Sequence, residues 1–278
     1  PAELGQLTKL KTLYLAANRL EGSLPVEITN LSNLEYLILR QNFLTGSIPT
    51  EINHLAKLKY IHLYSNRFSG SIPSQIGELS ELTQLHLSTN QLTGPIPSQI
   101  GHLSKLTSLG LGSNPLNTTI PVELGQLSSL ENLDISYSEL YGSIPTELGQ
   151  LNKLISLSLH VNRLSGSIPV ELAQLSNILV FNLYVNELTG SIPTEFNQLK
   201  YLYDLHISDN KLDGIIPDLT NSIYLRELAI GRNKFRFIDF AAQYSLYKSK
   251  LKDYFFYAPQ AKTDTEQSII GLPNKSIT

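Results

Sequence analysis

The chain repeats itself every 24 residues, as the series Asn18, Asn42, Asn66, Asn90 and Asn114 shows, and Asn162, Asn186 and Asn210 continue it. Pro keeps the same step through Pro25, Pro49, Pro73, Pro97, Pro121, Pro145, Pro169, Pro193 and Pro217. A fixed period of this size belongs to a solenoid of stacked units and outranks any local secondary-structure propensity. A single unit cannot bury its own apolar face, so neighbouring units must seal one another.

Within one unit, Leu34, Leu37 and Leu39 are spaced so that Leu37 and Leu39 share one face of a short strand. That face must point inward. Leu44, Ile48, Ile52 and Leu55 fill the same interior from the other sides of the coil. Asn42 stands where the chain leaves the strand, and its side chain is suited to pair with main-chain groups of its own and the adjacent coil. Gly46 is expected where a Cβ would be crowded, and Pro49 suits a segment that has left the sheet. Ile52-Asn53-His54-Leu55 reads as a short helical or 3-10 return. Ten strand copies, beginning near Leu10, Leu34, Leu58, Leu82, Leu106, Leu130, Leu154, Ile178, Leu202 and Leu225, predict a parallel sheet about 45 Å long at ~4.8 Å per rung.

These positions match the pattern L-x-x-L-x-L-x-x-N-x-L followed by G-x-I-P, over roughly residues 4–235. In that respect the chain resembles leucine-rich repeat proteins of the subtype best known from plant receptor ectodomains. The resemblance implies an α/β solenoid: a right-handed superhelix with a parallel sheet on its concave face and irregular or 3-10 segments on the convex side. It also implies a non-catalytic binding module, carried on a larger cell-surface or secreted protein. Plant ectodomains of this kind usually carry paired cysteines in their caps, and here Cys is absent. The ending Asn233-Lys-Phe-Arg-Phe237, with Phe256-Tyr-Ala-Pro-Gln260, resembles the close of bacterial surface leucine-rich repeat proteins.

The array occupies residues 1–234 in this reading. Residues 235–260 form an aromatic C-terminal cap, because the open end of a solenoid exposes a slab of leucines that something must cover. Phe235, Phe237, Phe240, Tyr244, Tyr247, Tyr254, Phe255, Phe256 and Tyr257 supply it, with a helix over Asp239–Lys252. A ligand cage is the other use of such a cluster. Residues 261–278 read as a linker toward a further domain. Pro115, Thr118 and Ser138 break the pattern close together, either as drift in a tolerant array or as a local kink.

A net charge of −3 does not suggest nucleic acid as a partner, and no apolar run is long enough to span a membrane. Without Cys there is neither a disulfide framework nor a thiolate metal site. The sequons at Asn30, Asn117 and Asn274 are near the number expected by chance.

Three residues per unit alternate outward from the strand, and their columns are uneven. The first four units carry Tyr14, Tyr36, Arg40, Tyr60, His62, Tyr64 and His86; the fifth carries Ser108, Gly110 and Gly112; later units carry Tyr137, His160, Tyr184, Asp204 and His206. Tyr, Arg and His combine apolar area with a polar handle, the combination favoured at binding hot spots. Sheet propensity alone puts Tyr on exposed strands, but it does not explain the clustering. These residues are the expected contact surface for a protein or peptide, on a chain expected to be a monomeric piece of a longer, extracellular one. A structural or adhesive spacer, or an array facing a polysaccharide, is the alternative. His62 with His86 lacks a third metal ligand. Asp204 with His206 and Asp209 reads as a salt-linked surface group, with an Asp204–His206 hydrogen bond expected. Ser158 with His160 has no nucleophile elbow or oxyanion pocket, so neither catalysis nor a metal or other cofactor is expected.

Overall fold

The structure, a computed structural model, describes residues 2–257. The expected linker at 261–278 and the end of the expected cap lie outside the described residues. Each coil runs from a strand through a turn and an outer segment to a five-residue 3-10 helix such as Thr50–His54, then back to the next strand; the coil that begins at Asp204–His206 returns through turns instead. The inner strands make one 11-stranded parallel sheet in strict chain order, and short outer strands such as Glu21–Ser23 and Phe43–Thr45 pair in smaller sheets. Register advances by one unit per rung, pairing Tyr60 with Gln84, Ile61 with Leu85 and His62 with His86. The last step is one residue short, pairing Asp204 with Glu227. The strand side of each coil is thinner than the 3-10 side, so the coils fan and the sheet lies on the concave face. This is the solenoid of stacked units expected from the period.

The inward residues form one continuous core from Leu13 to Phe255, with nearly every strand leucine fully buried. The asparagines sew it together. Asn66 donates from Nδ2 to the carbonyls of Leu63 and Leu39, both at 3.0 Å, and its Oδ1 accepts the Leu44 N–H at 3.0 Å. From Asn42 to Asn233 each such Asn satisfies main-chain groups of two coils in an interior where unpaired groups are expensive, whereas the Asn18 side chain, on the first coil, bonds only within its own. The residue before each Asn takes a left-handed conformation, from Ala17 at φ 55° to Arg232 at φ 52°, including the β-branched Val161 and Val185.

The glycines divide into two classes. Gly46 has φ +77°, and around the equivalent Gly22 and Gly94 the Cβ position is open. The crowding expected at Gly46 is present, since a Cβ there would lie 3.0 Å from Ser23 Cβ, but a left-handed backbone is what the whole column shares. Crowding is closer elsewhere. At Gly77, Gly101, Gly125 and Gly149, inside the 3-10 helices, a Cβ would overlap the backbone carbonyl of the next coil.

The pattern breaks have a structural consequence. Arg67 and Gln91 donate their N–H groups to Leu44 and Phe68 on the outer side, but Pro115, in the same position, has none to give. Ser138 replaces the Asn that would accept from Leu116, and the Leu116 N–H turns to Asn114 O instead. Asn117 then adopts φ 48°, the unit forms no outer strand, and Ser138 N–H is held by Asn162 Oδ1 at 3.0 Å. A local rearrangement of the convex side is what the structure shows.

At the C-terminal end the 3-10 helix Phe237–Asp239 precedes an α-helix, Ala241–Leu251. The helix begins later than Asp239 because that carboxylate is occupied by Arg236, accepting its backbone N–H at 2.7 Å and its guanidinium at 2.9 Å. Tyr247 is fully buried; its hydroxyl accepts the Leu219 N–H at 2.8 Å and donates to Pro217 O at 2.9 Å. Phe255–Phe256 adds an eleventh strand, pairing with Leu228 and Ala229.

Candidate functional site

Strand geometry places alternate residues on the outward face, and the register aligns them in three columns. On the first four rungs the aromatics pack against one another. Tyr36 meets Tyr60 edge to face at 5.0 Å, Tyr60 stacks along its own strand on His62 at 5.5 Å, and His62 stacks on His86 at 4.6 Å. Arg40 lies over the Tyr64 ring at 5.6 Å and donates to the Tyr14 hydroxyl at 3.3 Å. Tyr14 stands exposed, whereas the other members are half-buried. His62 Nε2 is engaged by Gln84 Oε1 at 2.9 Å and His86 Nε2 by Ser108 Oγ at 2.8 Å, so stacking and side-chain partners occupy both rings.

The fifth rung is a floor. Gly110 and Gly112 are buried, and a Cβ on Gly112 would press on Ser136 and Asp134. Asp134 is turned to Ser136, whose hydroxyl donates to it at 2.6 Å. Beyond the floor a second cluster rises. Tyr137 meets His160 edge to face at 5.3 Å, His160 stacks on Tyr184 at 4.4 Å, and Tyr184 approaches His206 at 6.3 Å. Tyr137 is exposed and belongs to a left-handed turn residue, φ 52°, beyond the strand. The residues expected to form the contact surface are therefore brought together in two groups on one face.

Burial dominates the electrostatics. It pushes His62 and His160 below the ordinary imidazole range, and His86 down to about 4, with His62 adding to the effect and Asp134 opposing it. At neutral pH these rings are uncharged, so the face offers aromatic surface and neutral hydrogen-bonding edges. Asp204 is shifted upward by burial, with His206 opposing and Glu227 adding to the rise.

Several expected pairings are different in the structure. His206 Nε2 lies 3.0 Å from Glu227 Oε1 on the next strand, while Asp204 Oδ1 has no hydrogen-bond partner; the expected Asp204–His206 hydrogen bond does not form. Asp209 faces away and pairs with Arg232 at 2.6 Å. Glu227 falls in the outward column opposite Asp204, where the shortened last unit already places it by sequence, but it was not among the expected contact residues.

A leucine-rich repeat region model matches residues 44–168, and a second leucine-rich repeat model matches residues 8–68. Comparison with curated proteins finds no match. Among solved structures, the Arabidopsis receptor kinase HAESA in complex with the peptide hormone IDA is similar at 35% identity and a TM-score of 0.81, over 84% of this chain and 40% of that one. A leucine-rich repeat protein of Leptospira interrogans is 30% identical with a TM-score of 0.66, over 94% of this chain and 69% of that one. A plant ice-binding protein is 30% identical with a TM-score of 0.70, over 78% of this chain and 70% of that one. The chain spans 40–42% of the length of the first receptor ectodomains it resembles. Repeat pattern, stacked-coil architecture and these likenesses agree, and the chain belongs to the leucine-rich repeat proteins of the plant-type subtype.

Proposed function

We propose that the chain is a non-catalytic binding module that holds an extended peptide or protein segment along its concave sheet, as part of a larger extracellular or cell-surface protein. The observation that carries this reading is the pair of aromatic clusters on one rigid face, Tyr36-Tyr60-His62-His86 and Tyr137-His160-Tyr184, with the glycine floor between them. Five rungs separate Tyr60 from the strand preceding Tyr184, about 24 Å, which matches about seven residues of extended chain. Side chains already stacked lose little rotamer freedom on binding, so the ordering cost is low. Receptors of similar fold were solved with peptide hormones bound, which supports a peptide as the ligand class and the outside of the cell as the location.

The test uses a phage-displayed random peptide library selected on the immobilised protein. Tyr60→Ala and Tyr64→Ala are each expected to weaken the selected peptides by about tenfold or more, as loss of a hot-spot side chain does, with unchanged melting. Unaltered affinity in both variants removes the reading. Indifference to every concave substitution is the behaviour of a spacer or adhesive array.

A further inference from the structure

Asp204 and His206 are two apart on one strand and so point to the same face, and register sets Glu227 directly across from Asp204. One donor atom from each of the three lies within 4.8 Å of the other two. A zinc ion with ligands at about 2.0–2.2 Å needs donor separations of roughly 3.4 Å when tetrahedral, so small side-chain rotations close the set. His206 Nε2 and Glu227 Oε1 are already 3.0 Å apart. That approach lacks hydrogen-bond alignment, and Nε2 counts as buried without a partner.

A second observation is independent of the spacing. Among the described residues, four buried side-chain polar atoms have no hydrogen-bond partner: His160 Nδ1, Asn182 Oδ1, Asp204 Oδ1 and His206 Nε2. All four lie on this end of the concave face, and register places Asn182 directly beside His206. Buried polar atoms without partners are rare in native proteins and call for an explanation. Here two of the three converging residues, Asp204 and His206, each contribute one of them. Two carboxylates also crowd one another at the site, and the neighbouring Arg226 guanidinium, on the approach to the Glu227 strand, bonds to the Tyr203 hydroxyl at 2.8 Å.

We propose that Asp204, His206 and Glu227 bind a divalent first-row transition-metal ion. One imidazole nitrogen with two carboxylate oxygens suits zinc and its neighbours better than magnesium or calcium, which prefer all-oxygen sets. The ion neutralises the paired carboxylates. Its remaining coordination positions face the solvent side of the concave surface, where water or a partner's donor group completes them. The site stands whether or not a peptide binds the aromatic clusters.

Tag-free protein, stripped with EDTA and dialysed, is titrated with zinc chloride by calorimetry and with cobalt chloride by visible absorption. The expected result is one ion per chain, with a cobalt ligand-field band. Loss of even an outer-shell partner weakens metal sites by about 10–100-fold, so His206→Ala and the near-isosteric Glu227→Gln should each lower affinity by at least that much. His62→Ala, on the other cluster, should leave it unchanged. No saturable uptake by the unsubstituted protein overturns the proposal. So does uptake that both His206→Ala and Glu227→Gln leave intact, or that His62→Ala reduces equally.

Discussion

Asn66 makes four main-chain hydrogen bonds with one side chain, the longest at 3.5 Å to Tyr64 O, and removing it strands donors and acceptors of two coils at once. Asn66→Ala is expected to lower the unfolding free energy by roughly 3 kcal/mol, from the cost of buried unsatisfied groups, as read by urea denaturation. Ser138 shows what the chain does when the Asn is missing: neighbouring groups regroup around Asn162, and a left-handed turn appears at Asn117. Val185 is the opposite case. It holds φ 54° on the surface, a conformation that a β-branched side chain resists and Asn tolerates. Val185→Asn should therefore stabilise the protein by about 1 kcal/mol. A lower urea midpoint for that variant contradicts the assignment of strain.

At the scale of elements, the 3-10 helices carrying Gly5, Gly77, Gly101, Gly125 and Gly149 stack by bringing that glycine against the carbonyl of the next coil. Gly125→Ala should cost roughly 2 kcal/mol by forcing that backbone apart, with the loss visible in the urea midpoint. Ala173 occupies the equivalent place one unit beyond Gly149. The C-terminal cap has a buried polar anchor in an aromatic setting. Burial pushes the Tyr247 hydroxyl up to about 12, and that hydroxyl bridges Leu219 and Pro217. Tyr247→Phe is expected to destabilise the protein by about 1–3 kcal/mol through the stranded Leu219 N–H. If hydrogen exchange at Leu219 is unaltered in that variant, the anchor does not hold the cap.

For the whole molecule, the buried imidazoles tie stability to pH. His62, His86 and His160 all have lowered affinities for protons in the folded state, with His86 at about 4. The unfolded chain binds those protons near pH 6.5, so between about 6.5 and 4 the unfolded state carries more of them and gains stability as pH falls. The contribution of these groups is complete above that window and lost through it. The urea midpoint should drop from pH 7.5 to pH 5, less steeply in His86→Gln. An unchanged midpoint in the unsubstituted protein rules this out. Stacked-coil pairs such as Lys105–Glu81 and Lys211–Glu187 lie on exposed surface, where screening leaves each worth little.

Period, core positions and the Asn ladder were legible because each is a one-dimensional rule. A residue's place in the 24-residue unit decides whether it faces the core, the turn or the open face. The same rule placed Tyr60, His62 and His86 on one surface before any coordinates. It could not supply side-chain partners across rungs. Glu227 meets His206 because the last unit is a residue short, and Asp209 turns instead to Arg232. Nor could it show that Phe255–Phe256 extends the sheet, since that strand lies outside the repeat and forms only after the helix Ala241–Leu251 brings the chain back. Local periodicity sets which way a side chain points; which atoms it then meets depends on registers and closures that exist only once the coils have stacked.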